Sequence, residues 1–183
     1  MNALRNLLAL ALLLAAFACT SSSSGGGTTT PPPLPAARLT YTDPTDAAQW
    51  RLVRNATSTT THLVLDLMAP TGAAGRGVSL VLTCDAKVAW KAVEGSAFTR
   101  NGVYTGDLVQ KGSVLGTDLR VLLSQKPGTV QTYGSAAVVS VAMDLVSGTL
   151  PGTVALNSAQ GAHLGVAAAP ESITVAVGGL KAE

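Results

Sequence analysis

Val78-Ser79-Leu80-Val81-Leu82-Thr83-Cys84 is the stretch that decides the fold of this chain. Every second residue from Val78 to Cys84 is apolar, so these side chains fall together on one face of an extended strand. The same period of two recurs in the stretches 62–68, 119–123, 139–145 and 173–177. Five strands that each carry an apolar face predict sheets packed around a shared core.

Weaker strand patterns fill the gaps between these five, at 39–42, 49–56, 88–93, 104–109 and 153–156. Clusters of Gly, Pro, Asp and Asn between the strands are typical of turns. The segment 158–169 is ambiguous and could hold a short helix or a loop. We therefore expect an all-β domain of about nine strands, an antiparallel two-sheet β-sandwich of the jelly-roll type.

The N-terminus has the pattern of an export signal. Arg5 precedes an unbroken apolar run at 7–18, which has the length of a signal-peptide core and falls short of the roughly 20 residues that span a membrane. The run ends in Ala16-Phe17-Ala18-Cys19, which resembles the lipobox of bacterial lipoproteins. That resemblance implies cleavage before Cys19, a diacylglycerol on its sulfur and an acyl chain such as palmitate on its amino group. An ordinary secretory signal cleaved near Ala18 is the alternative.

The residues after Cys19 bear on the location of the protein. Thr20 occupies a position at which aspartate favours the inner membrane of Gram-negative bacteria, so the resemblance implies the outer membrane, with the domain in the periplasm or at the cell surface. Ser, Gly, Thr and Pro dominate the segment up to Ala36, which cannot bury enough apolar surface to offset its ordering entropy. We expect a signal peptide at 1–18, a lipidated cysteine and disordered tether at 19–36, and a β-sandwich domain at 37–183.

Charge and cysteine content argue against a nucleic-acid-binding protein and against a fold held by disulfides. Twelve basic and ten acidic residues leave the chain almost neutral, and the Lys and Arg residues are scattered singly. This distribution gives no basic patch for nucleic acid. Cys84 is the second of two cysteines, and with Cys19 acylated it has no partner for an intramolecular disulfide.

The order of strands and turns also carries a family resemblance. A strand at 77–85 ends in an aspartate turn, the stretch 87–93 leads into Glu94-Gly95-Ser96-Ala97-Phe98, and a later strand pair lies at 119–124 and 134–145. In this order, residues 61–177 resemble the cohesin-like family, which is related in fold to carbohydrate-binding β-sandwiches. Cys84 stands where that family usually has tyrosine. The resemblance implies a domain that binds another protein.

No catalytic or metal-binding pattern stands out. His62 and His163 lack the short spacing of a metal pair, so we expect no metal site and no cofactor. Cys84 alternates with core leucines and is most simply a small buried side chain. Asp66 and Asp144 fall on the polar faces of their strands, whereas a glycosidase needs two carboxyl groups about 5 to 10 Å apart across a cleft. Solvent-facing strand aspartates are therefore the favoured interpretation, and no catalytic residue is assigned.

Aromatic side chains matter because sugars stack on exposed rings. Trp90 alternates with apolar neighbours and is expected in the core. Tyr104 and Tyr133 lie in Gly-rich loops, which makes them the candidates for exposure and for contact with a ligand. Packing in the core or in a loop is nevertheless favoured over a sugar-binding platform.

These observations predict a membrane-anchored lipoprotein that is not an enzyme. It would present a cohesin-like β-sandwich for interaction with an envelope or extracellular protein, and the lipid on Cys19 would hold it to the membrane. A carbohydrate-binding module that recognises a polysaccharide is the alternative. A glycan-active enzyme is the third hypothesis.

Overall fold

Strands form along most of the alternating stretches, although in 173–177 only Val175 and Ala176 are paired, and backbone pairing adds further short strands. A computed structural model describes residues 36–91, 97–126, 130–167 and 169–183. The signal peptide, Cys19, the tether up to Pro35 and the end of the expected strand 88–93 lie outside the described residues. The strands are β1 (Leu39–Thr42), β2 (Trp50–Arg54), β3 (His62–Met68), β4 (Ala74–Gly75), β5 (Gly77–Cys84), β6 (Val88–Lys91), β7 (Thr99–Arg100), β8 (Leu108–Leu115), β9 (Asp118–Gln125), β10 (Gln131–Thr132), β11 (Ala137–Leu145), β12 (Gly152–Val154), β13 (Leu156–Leu164), β14 (Pro170–Ser172), β15 (Val175–Ala176) and β16 (Gly179–Ala182).

Two large sheets build the β-sandwich. The six-stranded sheet has the order β15-β2-β3-β11-β6, with β7 also paired to β11, and the five-stranded sheet has the order β14-β13-β5-β9-β8. Apolar side chains of both sheets belong to one core cluster. The predicted all-β sandwich is confirmed. Within the described residues no helix has the length and apolar character needed to cross a membrane.

Two details of the prediction need correction. The described residues contain sixteen strands rather than about nine, because segments of two to four residues pair along the edges and ends of the sandwich. The pairing is also not purely antiparallel, since β15 runs parallel to β2. Such short strands owe their conformation to their partners, so they leave little periodicity in the sequence.

The alternating stretches supply the core, as predicted. Leu63, Leu65 and Leu67 of β3 are almost completely buried, and so are Leu80 and Leu82 of β5 in the facing sheet. Burying one such side chain contributes about 1.5–3 kcal/mol. Cys84 continues the row in β5 as a free, buried thiol, and Trp90 is buried as expected.

The sequence leaves open a short helix or a loop for the segment 158–169, and the structure has strand β13 over its first half. It pairs with β5 from Leu156 opposite Cys84 to Leu164 opposite Gly77, with an irregularity in the register near Ser158. Small and polar residues fill its middle, so the sequence shows neither the period of a strand nor that of a helix. The backbone hydrogen bonds to β5 determine its conformation instead.

The two ends of the domain close on each other. Strand β16 lies between β1 and β12, and Arg38 and Glu183 exchange backbone hydrogen bonds of 2.7 and 2.8 Å. Gly178 directly precedes β16 and lies against the ring of Tyr41, whose hydroxyl accepts a 2.7 Å hydrogen bond from the Gly178 N–H. A Cβ atom at this position would overlap the carbonyl oxygen of Thr42, so glycine is required by the close approach.

Candidate functional site

The five-stranded face, defined here as the outward side chains of β13, β5, β9 and β8, has the features of a contact surface. The strand registers place Ala162, Ser79, Leu122 and Lys111 in one row across the four strands. The next row contains Gln160, Val81, Arg120 and Ser113. Side chains in these rows point away from the core, because they alternate with buried neighbours.

Large aliphatic side chains are exposed on this face and along its β8 edge. Leu122 of β9 is 40% exposed, and Val109 and Leu115 of β8 are 49% and 64% exposed. Val114, next to Leu115, is exposed too, but it is opposite the buried Leu119 and so points to the other side of the sheet. Single exposed apolar residues are common on proteins, but a group of them in two neighbouring strands is typical of an interaction site.

The surface is also uneven. Open depressions of about 480 and 330 Å³ lie on either side of β5 and share Ser79 and Val81 in their lining. Small residues such as Ser79 and Gly161 leave the depressions open, whereas the larger side chains of Leu122 and Arg120 line the edge of one of them. A partner with protruding side chains would find two shallow recesses here.

Two basic side chains flank the apolar group. Lys111 and Arg120 are exposed, and neither forms an ion pair with any residue that the structure describes. The acidic residue nearest in the ladder is Asp118, whose carboxylate already accepts a 2.8 Å hydrogen bond from Thr83. Within the part of the chain that the structure describes, the two cations therefore remain available to carboxylates from outside.

The six-stranded face, defined as the outward side chains of β2, β3, β11 and β6, is different because its polar groups bind each other. Asp66 accepts hydrogen bonds from Asn55 (2.7 Å) and from Ser140 in the opposite strand. Ser140 in turn accepts a 2.9 Å hydrogen bond from Asn101. The side-chain groups of Asp66, Ser140 and Asn55 are therefore occupied by one another.

Asp144 lies on the same face and is held by two basic side chains. His62 pairs with it across the β3–β11 ladder, and the Lys91 Nζ atom lies 3.3 Å from its second oxygen. Partial burial acts to raise the pKa of Asp144, but the hydrogen bonds from His62 and Lys91 outweigh this, so the pKa lies below its usual value. The carboxylate is therefore a structural ion rather than a proton donor near neutral pH.

The two strand aspartates do not form a catalytic pair. Asp66 is opposite Ser140 and Asp144 is opposite His62, so they lie four residues apart along the ladder. At about 3.3 Å per residue their separation is about 13 Å, beyond the spacing of glycosidase carboxyl groups. The expectation that both are solvent-facing strand residues agrees with this geometry.

Tyr104 and Tyr133 are not exposed, contrary to what their Gly-rich surroundings suggested. They are 4% and 2% exposed and belong to the core. The Tyr104 hydroxyl donates to Tyr133 at 2.9 Å, and the Tyr133 hydroxyl lies 3.0 Å from Nε2 of His163. Trp50 packs against Tyr133 and His163 with ring-centroid distances of 5.6 and 5.1 Å. The loops fold back into the sandwich because these rings gain both burial and hydrogen bonds there.

Burial governs the ionisation of this aromatic cluster. Desolvation raises the pKa of Tyr104 and of Tyr133, so both stay protonated. Desolvation lowers the pKa of His163, an effect that the negative charge of Glu171 partly offsets. Because Tyr133 accepts from Tyr104, its own proton is free to bond Nε2 of His163, and we assign the proton of the neutral imidazole to Nδ1. A ligand would reach these hydroxyls only if the sandwich opened.

Cys84 and the possible metal ligands are the remaining candidates for a reactive site. Cys84 is buried beside the Thr117 carbonyl, and desolvation followed by the charge of Asp85 raises the pKa of its thiol to about 11. Such a thiol is a poor nucleophile at neutral pH. Among the described residues, no group of three or more His, Cys, Asp or Glu side chains could hold a metal ion.

Sequence reasoning missed the residues of the five-stranded face. A signal was present: Val81 and Leu122 are apolar residues at positions whose parity in their strands is otherwise polar. An apolar residue on the outward side of a strand indicates either that this side is also buried or that it contacts a partner.

Similarity to known proteins is confined to structure. No protein-family model matches the chain, and no curated protein does. The structure is similar to the seventh ScaB type I cohesin from Pseudobacteroides cellulosolvens, with 12% sequence identity and a TM-score of 0.46 over 69% of this chain and 86% of that chain. It is also similar to a non-cellulosomal cohesin from the hyperthermophilic archaeon Archaeoglobus fulgidus, with 15% identity and a TM-score of 0.43 over 76% and 86%. With both TM-scores below 0.5, this likeness carries no conclusion about the partner or activity of this chain.

Proposed function

We propose that this domain is a non-enzymatic protein-interaction module and that the five-stranded face is its docking surface. One observation carries the proposal: exposed aliphatic side chains share this face with two basic side chains that form no ion pair among the described residues, whereas Asp66 and Asp144 on the six-stranded face are held by neighbouring side chains. A surface that is apolar at its centre and polar around it is typical of protein–protein contacts.

The chemistry of the face indicates the kind of partner. Leu122 and Val81 would contact apolar side chains that enter the depressions beside β5. Lys111 and Arg120 would pair with carboxylates around them, since charge complementarity selects the partner and steers its approach. We therefore expect a protein with a protruding apolar group flanked by Asp or Glu.

The other two hypotheses find less support. Carbohydrate-binding modules rely on exposed rings, but of the aromatic side chains in the described residues only Tyr41 is half-buried and the rest are buried. A glycan-active enzyme needs converging carboxylates, and Asp66 and Asp144 are too far apart and already paired.

We also propose that a lipid on Cys19 anchors the protein to a membrane, in the outer membrane of a Gram-negative envelope. The sequence Ala16-Phe17-Ala18-Cys19 after an apolar run supports this part of the proposal. Cells grown with labelled palmitate should incorporate label into the wild type and not into Cys19→Ser. A wild type without label, or a variant that still pellets with membranes, would contradict the anchor.

Site-directed photocrosslinking in cells tests the docking surface. A photoreactive residue in place of Leu122 should yield a crosslinked complex with a partner protein. The same residue in place of Ala89, an exposed position on the six-stranded face, is the matched control and should yield none. Adding Arg120→Glu and Lys111→Glu should lower the yield from position 122. Crosslinks from position 89 alone, or from neither position, would refute this assignment.

A further inference from the structure

Strand β8 is the long free edge of the five-stranded sheet. Among the described residues it pairs with β9 alone, and it is eight residues long. The opposite edge, β14, has three residues and begins with Pro170, and the outer strand β15 of the other sheet has two. Proteins usually block edges with short strands, prolines or several charges, because unpaired backbone groups recruit another strand. In β8 the single charged residue Lys111 is the only such feature that protects the edge.

The direction of the unpaired backbone groups follows from one hydrogen bond. The Lys126 N–H donates to the Asp107 carbonyl at 2.9 Å, one residue before the β8–β9 ladder begins. In an antiparallel ladder the hydrogen-bonded residues alternate, so the odd-numbered residues of β8 bond to β9. The N–H and C=O groups of Leu108, Gln110, Gly112 and Val114 therefore point to the free edge.

We propose that two copies of this chain pair antiparallel through β8, with the twofold axis at Gly112. This register places Gln110 opposite Val114 of the partner subunit, so that outward-pointing backbone groups meet. It also places Val109 opposite Leu115 of the partner subunit, twice by symmetry, and Lys111 opposite Ser113 of the partner subunit. The exposed side chains of Val109 and Leu115 thereby cover each other.

Neighbouring registers satisfy the backbone but not the side chains. An axis at Lys111 places two lysines directly opposite each other, which is unfavourable. An axis at Ser113 places Lys111 opposite Leu115 of the partner subunit and leaves Val109 without an apolar neighbour. Only the axis at Gly112 pairs aliphatic with aliphatic and separates the charges, so the strand is complementary to a second copy of itself.

The consequence is a continuous ten-stranded sheet with two five-stranded faces side by side. The pairing is inferred from the free backbone groups and the register of β8, which the proposed function does not use, and it covers Val109 and Leu115 while leaving Leu122 and Val81 of the five-stranded face uncovered. The interface of one strand pair is small, and small interfaces are weak. The dimer should accordingly form where the protein is concentrated, and not as an obligate unit.

Disulfide crosslinking of the full chain in intact expressing cells tests the register, whether or not the chain is anchored to a membrane. Val109→Cys and Leu115→Cys lie six residues apart in one chain, about 20 Å, too far for an internal disulfide. Oxidation with copper phenanthroline should give a covalent dimer from the double variant. Two differently tagged chains that carry one substitution each should also crosslink when expressed together, and each single variant expressed alone should not. The buried Cys84 adds no background.

A backbone variant separates strand pairing from simple proximity. Gln110→Pro removes an N–H from the free edge and no hydrogen bond between β8 and β9, so it should lower the dimer yield several-fold without changing the unfolding midpoint. Equal crosslinking by the single variants, or a yield that Gln110→Pro leaves unchanged, would overturn the proposed pairing. A crosslink to another protein with no dimer would assign the edge to a different chain and overturn it too.

Discussion

The hydrogen-bonded chain Tyr104–Tyr133–His163 allows a sharp test of how the core is held together. Tyr133→Phe keeps the ring and its packing against Trp50 but deletes the hydroxyl that both neighbours use. The Tyr104 hydroxyl and Nε2 of His163 are then buried without partners. Each unpaired buried group costs about 1–2 kcal/mol, so we expect a loss of about 2–4 kcal/mol in the free energy of unfolding.

Tyr104→Phe is the matched control. It removes a donor at the end of the chain and leaves the bond between Tyr133 and His163 intact. We expect a loss of about 1 kcal/mol, the usual net contribution of one hydrogen bond.

Urea unfolding of the two variants beside the wild type measures the difference. With a slope of about 2 kcal/mol per molar urea, Tyr133→Phe should lower the midpoint by about 1–2 M and Tyr104→Phe by about 0.5 M. A Tyr133→Phe variant no less stable than Tyr104→Phe would refute the view that Tyr133 satisfies two buried partners at once.

Three further predictions concern close packing, pH and the buried thiol. Gly178→Ala should cost about 2–3 kcal/mol in thermal unfolding, because the new methyl group overlaps Thr42, whereas Gly179→Ala, which meets nothing, should be nearly neutral. Stability should fall as the pH drops below about 6.5, because the unfolded chain binds a proton at His163 that the folded core disfavours. The urea midpoints at pH 7.5 and 5.5 should therefore differ less in His163→Gln than in the wild type. A variant whose midpoint falls as much as that of the wild type would contradict the assignment to His163. Cys84 should react with a thiol reagent only after urea unfolding, and rapid labelling of the folded protein would show that the thiol is accessible.

The aromatic cluster shows why the sequence could favour packing for Tyr104 and Tyr133 but could not name the residues they pack against. Tyr104 and Tyr133 sit in segments rich in glycine, which the sequence marks as turns at the surface. The Tyr133 hydroxyl, to which Tyr104 donates, contacts His163, whose position depends on strand β13 and its pairing with β5. A contact between residues that are about 30 positions apart leaves no periodic trace in either segment.

The outer faces show the same limit. The sequence placed Asp66 and Asp144 on polar sides of strands, but Ser140, Asn55 and His62 became their partners only through the registers of β2, β3 and β11. The five-stranded face likewise collects Val81, Leu122 and Val109 from three strands.

Alternation alone determined the all-β class and the inward row of β5 from Val78 to Cys84, because a strand sends successive side chains to opposite sides whatever lies around it. The tertiary structure decided strand β13, the partners of Tyr104 and Tyr133 in the core, and which polar side chains of the outer faces bind one another. Each of these depends on which strands become neighbours and in which register, and that choice is made by contacts between distant parts of the chain.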